Sequence, residues 1–304
     1  MPKRKPPQQK ERLPLDIFPE PIEPEIKVKP PTHRVWTENK AKLIERYLLY
    51  FVFITHHGTY IDGFAGPQEP RKPDSWAAKL VLENEPKWLK HFHLFEIKKK
   101  KIKMLNELKR AQPDRDSKGR KVLREIEVYP GDFNINVHKL LQSASIKPKE
   151  ATFCLLDQIT FECHWSTLKA LAEYKPAGYR KIELFYFLGV GWLDRAFSGQ
   201  KKTKKLEDWW GRGDWDQLLK KGPFKCAMAF VERFKKELGY KTVMPWAIYE
   251  RKGGGRIMYY MIHATDHPDA PGLMARAYDR AVFHETYEQL QLEGVFPPKP
   301  NKSF

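Results

Sequence analysis

Cysteine is scarce in this chain: Cys154, Cys163 and Cys226 are the three present among 304 residues, an odd number with no Cys-x-x-Cys pair and no Cys/His grouping at ligand spacing. That count argues against a disulfide framework and against a structural zinc site. Long apolar runs are missing too. None approaches the roughly 18 to 20 residues of a spanning helix, and the mean hydropathy of −0.64 excludes an integral membrane protein. The opening stretch, MPKRKPPQQKERLPL, has no apolar core of the secretory kind, so the expectation is a cytoplasmic chain with no membrane contact. Acidic residues are in deficit: 38 Asp and Glu face 55 Lys and Arg, a formal charge of +17. Such a field draws polyanions by counterion release, which makes nucleic acid the first partner to consider, against the plainer alternative of a soluble protein that is merely basic.

What is present describes an ordered globular protein, with 41% hydrophobic and 13% aromatic residues. Residues 1–32 hold nine of the 24 prolines mixed with charge and read as a disordered, basic tail. Order begins with a helix over residues 38–48, Thr37 serving as N-cap and Ala41, Leu43, Ile44, Tyr47 and Leu48 recurring at helical spacing. Strand-like and helix-like segments then alternate. Strands are predicted at 59–62, 91–97, 126–129, 151–156 and 182–188, with helices at 75–83, 98–110, 135–143 and 165–174 between them. The fourth and fifth strands are almost wholly apolar, as in a parallel sheet covered on both faces. This alternation predicts an α/β, doubly wound, mostly parallel sheet.

The pattern breaks at about 191–240, which reads as a helical insertion with a helix over 226–238, the cluster Trp209, Trp210 and Trp215, and the run Lys201-Lys202-Thr203-Lys204-Lys205. Cations interleaved with aromatics suit single-strand tracking with base stacking; burial of the tryptophans in the insertion's own core is the equal alternative. Two strands at 243–251 and 257–265 follow, joined by Lys252-Gly253-Gly254-Gly255-Arg256. No helix follows those glycines, so they read as a hairpin turn and not as a phosphate loop. A last helix is expected over 272–292, and a tail over 291–304.

Five parallel-type strands followed by an antiparallel hairpin is the element order of Rossmann-like class I methyltransferases, which use S-adenosylmethionine. The motifs are more specific. His33-Arg34-Val35-Trp36-Thr37 with Lys40, then Tyr60-Ile61-Asp62-Gly63-Phe64-Ala65-Gly66, Gly131-Asp132-Phe133-Asn134, Leu156-Asp157 with Trp165, and Tyr259-Tyr260-Met261-Ile262-His263-Ala264-Thr265-Asp266-His267-Pro268 together resemble the three-Cys-motif partner family, methyltransferase-like proteins of bacteria and their phages. The resemblance spans residues 33–290, and the cysteines of the family's name belong to its partner protein.

That resemblance implies S-adenosylmethionine as cofactor, held by Asp62, Gly63, Phe64, Ala65 and Gly66 at the methionine end, Glu96 at the ribose hydroxyls, and Asp132 with Phe133 at the adenine. Taken as residues, Asp62 and Asp132 serve equally as caps of the helices that follow them, and Glu96 as a solvated partner of the lysines at 98–101. Asp157 is the expected catalytic residue, at the end of a central strand where open α/β sheets hold ligands. In amino-methyltransferases of nucleic-acid bases the corresponding aspartate or asparagine is followed by prolines and an aromatic that stacks on the extruded base. Here the stretch is Asp157-Gln158-Ile159-Thr160-Phe161, without proline and with its aromatic one place late. The acceptor side is assigned to Gln158, Phe161, Trp165 and His267, and no metal ligand is assigned. Transfer from a sulfonium is an in-line displacement for which positioning alone supplies about 7–11 kcal/mol. The altered stretch keeps open a non-catalytic nucleotide- or nucleic-acid-binding subunit that retains the fold and works with its three-Cys protein, and an acceptor that is protein or small molecule.

Overall fold

A computed structural model describes residues 35–189, 203–218, 221–251 and 254–283. The expected tails and the final stretch of the last helix lie outside them, as does the start of the lysine run.

The chain enters through α1 (Val35–Thr55), two turns longer than its predicted span at the carboxyl end. Because this helix starts at Val35, Thr37 lies inside its first turn and is not its cap. Leu43, Ile44, Tyr47, Leu48, Phe51 and Val52 form the stripe it buries. His56 in a left-handed conformation (φ +57°) ends it. Gly58 follows at φ +152°, where a Cβ would stand 3.0 Å from the Ala151 carbonyl oxygen, so the chain can turn tightly into the sheet only with glycine there.

The sheet has seven strands: β1 (Thr59–Asp62), β2 (His91–Glu96), β3 (Glu125–Pro130), β4 (Thr152–Leu156), β5 (Glu183–Leu188), β6 (Thr242–Arg251) and β7 (Gly254–Thr265). They lie in the order β3-β2-β1-β4-β5-β7-β6. The first five are parallel, and β7 runs antiparallel to both β5 and β6. This is the doubly wound, mostly parallel sheet with an antiparallel hairpin that the sequence predicts. Every residue of β4 and β5 is buried. Alternate side chains feed two cores: Ile61, Cys154 and Leu184 enter one, and Tyr60, Phe153 and Phe185 the other.

On the second of these faces lie α1, α2 (Ala77–Glu83), α3 (Lys99–Arg110) and α8 (Ala270–Tyr278); on the first lie α4 (Phe133–Gln142), α5 (Trp165–Glu173), α6 (Thr203–Trp210) and α7 (Pro223–Lys236). The segment expected as an insertion thus contributes directly to the sheet's own cover: Phe230 and Phe234 of α7 pack on Tyr186 of β5. Two of its three clustered tryptophans are interior, and Trp215 is half-buried. Trp209 and Trp210 are 1% and 2% exposed, and the Arg233 guanidinium sits 3.6 Å from the Trp165 ring and 4.0 Å from the Trp210 ring. Trp209 and Trp210 are thus spent on packing, in line with the second of the two readings. No described helix is long and apolar enough to cross a membrane.

One polar cluster is built into the amino-terminal edge of the sheet. The Glu183 carboxylate accepts from Tyr47 Oη, from Thr265 Oγ1 at 2.8 Å, and bonds His263 Nε2 at 2.9 Å. Burial pushes this carboxyl up, but His263, Tyr47 and Thr265 outweigh it and leave it below the usual 4.5. A depressed carboxyl contributes stability that is full above its unfolded value and is lost as pH falls through the folded one. Glu183→Leu, which strands three buried polar groups, is expected to cost about 3–5 kcal/mol in urea denaturation at pH 7. The deficit relative to wild type should shrink as the pH is lowered below 4.5.

Candidate functional site

At the carboxyl ends of β1 and β4 the strand order reverses, and a cleft of about 310 Å³ opens there. Its walls are built by the segments leaving four consecutive strands. After β1, the turn Gly63–Gly66 is strapped to both neighbours: Gly63 N donates to Leu155 O of β4 at 2.9 Å and Ala65 N to Phe95 O of β2 at 2.8 Å. Gly63 and Gly66 present bare backbone to the cleft. A Cβ on Gly66 would stand 2.1 Å from Glu96 Oε2 and 2.7 Å from Lys101 Cβ, and one on Gly63 3.0 Å from the Phe133 ring.

Glu96 ends β2. Its Oε1 accepts from the Ile97 and Lys98 amides at 2.9 Å each, while Oε2 faces Gly66. After β3, Asp132 caps α4 by accepting from Asn134 N at 2.8 Å. Phe133 lines the cleft with Phe64, ring to ring at 5.8 Å. After β4 comes Asp157, 8% exposed.

Of the residues expected at the cofactor, Gly63, Phe64, Gly66, Glu96, Asp132 and Phe133 all border this cleft, together with Asp157 and Phe161. Two stand behind its wall. Ala65 is buried, its carbonyl accepting from Trp76 Nε1 at 2.6 Å. Asp62 accepts from Phe64 N at 3.1 Å and from Tyr60 Oη at 2.9 Å, so it braces the glycine turn from the inside. Burial, with smaller contributions from Asp157 and Glu96, raises its carboxyl to about 7 against the opposing bonds of Phe64 and Tyr60.

The acceptor-side expectation needs correcting for three residues. Gln158 is fully buried: its amide donates to Phe187 O at 3.1 Å and accepts from Cys163 N at 2.8 Å, which pins the loop after β4 to β5. Trp165 lies in the core beside Phe234, at 5.7 Å. His267 follows β7, and because that strand is antiparallel it arrives at the opposite edge of the sheet from Asp157.

Sequence reasoning assigned no role to the residue in closest contact with Asp157. Lys40 Nζ, from α1, is 2.7 Å from Oδ1 and 2.6 Å from Oδ2. It is 2% exposed and rests 5.6 and 5.7 Å from the Phe187 and Tyr259 rings. Gln68 Nε2 donates to Asp157 Oδ2 at 3.1 Å. A signal was available, since Lys40, Ile44 and Tyr47 share the i, i+4, i+7 stripe that α1 buries. Asn134 was likewise named in its motif without a role. It donates to Glu162 O at 2.8 Å and accepts from His164 N at 2.9 Å, tying the start of α4 to the loop after β4. Lys98, Lys101 and Lys205 complete the rim.

Comparison with known proteins returned no matching family model and no matching curated protein. Among solved structures the chain is similar in fold to M. jannaschii TYW2 in complex with AdoMet, at TM-score 0.38 and 11% identity over 79% of this chain and 78% of that one. It is also similar to the methyltransferase domain of bacterial CtHen1-C, at TM-score 0.43 and 11% identity over 76% of this chain and 98% of that one.

Removing one member of a buried ion pair leaves the other charge uncompensated. Lys40→Met is therefore expected to lower stability by about 3–5 kcal/mol, and Lys40→Met with Asp157→Leu to recover most of that loss. A double-mutant cycle by urea denaturation reads both quantities.

Proposed function

We propose that this chain is an S-adenosylmethionine-dependent methyltransferase of the three-Cys-motif partner kind, working in the cytoplasm on a nucleic-acid acceptor. The observation that carries this reading is the convergence on one cleft, at the reversal of strand order, of a bare glycine turn, Glu96, Asp132 and Asp157.

The residues present fit the cofactor. The Gly63 and Gly66 backbone lies where side chains would fill the space. Glu96 faces that turn with one carboxylate oxygen outside its own amide bonds, as a ribose diol requires. The rings of Phe64 and Phe133 offer apolar surface to a purine beside Asp132. The bound cofactor supplies an electrophilic methyl group on a sulfonium. The chain's own residues hold and orient: Asp62 places negative charge behind the turn for an ammonium group, and Asp157 accepts a hydrogen bond from the incoming nucleophile. A carboxylate has about four lone-pair sites, and Lys40 and Gln68 take three on Asp157.

A nucleic-acid acceptor is supported by the net charge of +17, by Lys98, Lys101 and Lys205 on the rim, and by Lys99, Lys100 and Lys103 beside them on α3. Ile97 and Ile159, 64% and 45% exposed, give the rim apolar surface for a base. The near-saturation of Asp157 favours a second reading, a non-catalytic subunit that keeps the fold and binds its ligands beside a three-Cys-motif protein.

Calorimetry separates these outcomes from failure of the whole assignment. S-adenosylmethionine should bind, and more tightly as pH rises, because the Asp62 carboxyl ionises through about 7 and the anion attracts the ligand's ammonium. Between pH 6 and 8 the gain should reach about tenfold, and Asp62→Asn should flatten it. No heat at millimolar ligand removes the cofactor from this cleft. Tritiated-methyl transfer to DNA or RNA that disappears in Asp157→Ala supports the enzyme; cofactor binding without transfer to any acceptor supports the subunit.

A further inference from the structure

A second cavity, of about 320 Å³, lies at the amino-terminal edge of the sheet, the opposite end of the strands from the cleft. α1 and α8 wall it on the apolar side with Tyr47, Phe51, Ile54 and Leu273, and the loops before β4 and β5 close the other side. An engineered apolar cavity of about 150 Å³ accepts benzene, so the volume here suits a bicyclic body.

Its polar lining is unequal. Its three carboxylates are satisfied: Glu183 by Tyr47, His263 and Thr265, Glu150 by Thr59 at 2.8 Å and His91 at 2.6 Å, and Asp266 by the Lys241 amide at 3.0 Å. The ammonium of Lys175 is not. This residue is 8% exposed and lines the cavity. Its Nζ donates to the Glu150 backbone carbonyl, and it has no carboxylate within ion-pair distance among the described residues. A buried cation lacking a counter-ion is costly to hold. Burial draws its pKa down to about 8, with Glu150 opposing. Lys149 and Arg180 stand exposed on the same lining.

We infer that this cavity is a binding site for a small organic anion, its apolar or aromatic body on Tyr47, Phe51 and Leu273 and its carboxylate or phosphate on Lys175. The inference is independent of the methyltransferase reading, since the two sites share no residue.

The test is calorimetry on the full chain with 2-naphthoate and its neutral isostere 2-naphthamide. Naphthoate should bind saturably and at least tenfold more tightly than the amide. Lys175→Met should bring the two probes level while leaving S-adenosylmethionine binding unchanged. Leu273→Trp, which fills the apolar end without touching the charge, should abolish binding of both, and it decides the matter if Lys175→Met does not fold. Absence of saturable heat with millimolar naphthoate overturns the proposal. So does a preference for naphthoate that survives in a folded Lys175→Met protein, or a naphthoate affinity unchanged by Leu273→Trp.

Discussion

The reversal of strand order across the sheet between the parallel neighbours β1 and β4 is the constraint from which the candidate site follows. Parallel strands need right-handed crossovers. A sheet that grows from β1 toward β3 on one side and from β4 toward β5 on the other must send those crossovers to opposite faces. The connections leaving the carboxyl ends of β1 and β4 are thereby held apart. Gly63 and Gly66 turn the chain within that gap without filling it, and the acids that end or follow β2, β3 and β4 project into the same space.

Gathering carboxylates under a low-dielectric wall has an electrostatic cost that the structure meets in different ways at each position. Glu96 and Asp132 take backbone amides at helix starts, where the peptide dipoles favour negative charge. Asp157 takes the buried ammonium of Lys40. Asp62 has no cation within ion-pair distance among the described residues and holds its proton up to about neutrality. The four acids are therefore unequal: three are compensated by the protein, and the fourth is the one whose charge a cationic ligand would change most.

The element order, the parallel core and the hairpin were legible because β4 and β5 are continuous apolar runs and the helices between strands carry a 3.6-residue period. The pattern put the cleft-bordering glycines and acids at strand ends, but their assignment to a cofactor came from the resemblance, since the acids alone read equally as helix caps or solvated charges. The three acceptor-side residues were misplaced for reasons of depth and direction. Gln158 and Trp165 sit beside Asp157 in sequence, yet adjacency along a loop does not say which side chain turns inward. His267 was misplaced because an antiparallel last strand carries its end to the far edge. Lys40 was named in the motif but given no role, because a lysine on an apolar stripe resembles a boundary residue until its carboxylate, 117 positions away, is seen.

The division of charge between floor and rim separates two kinds of recognition. Lys40 neutralises Asp157 inside the wall, so the pair contributes little field outside it. The long-range potential at the mouth comes from the lysines of α3 and from Lys205 of α6, which lie within reach of bulk ions. Salt at physiological strength screens such charges over about 8 Å but reaches buried groups far less. Under the proposed function, this division would let the rim capture and release a polyanion while the floor holds a small ligand independently of the ionic strength around it.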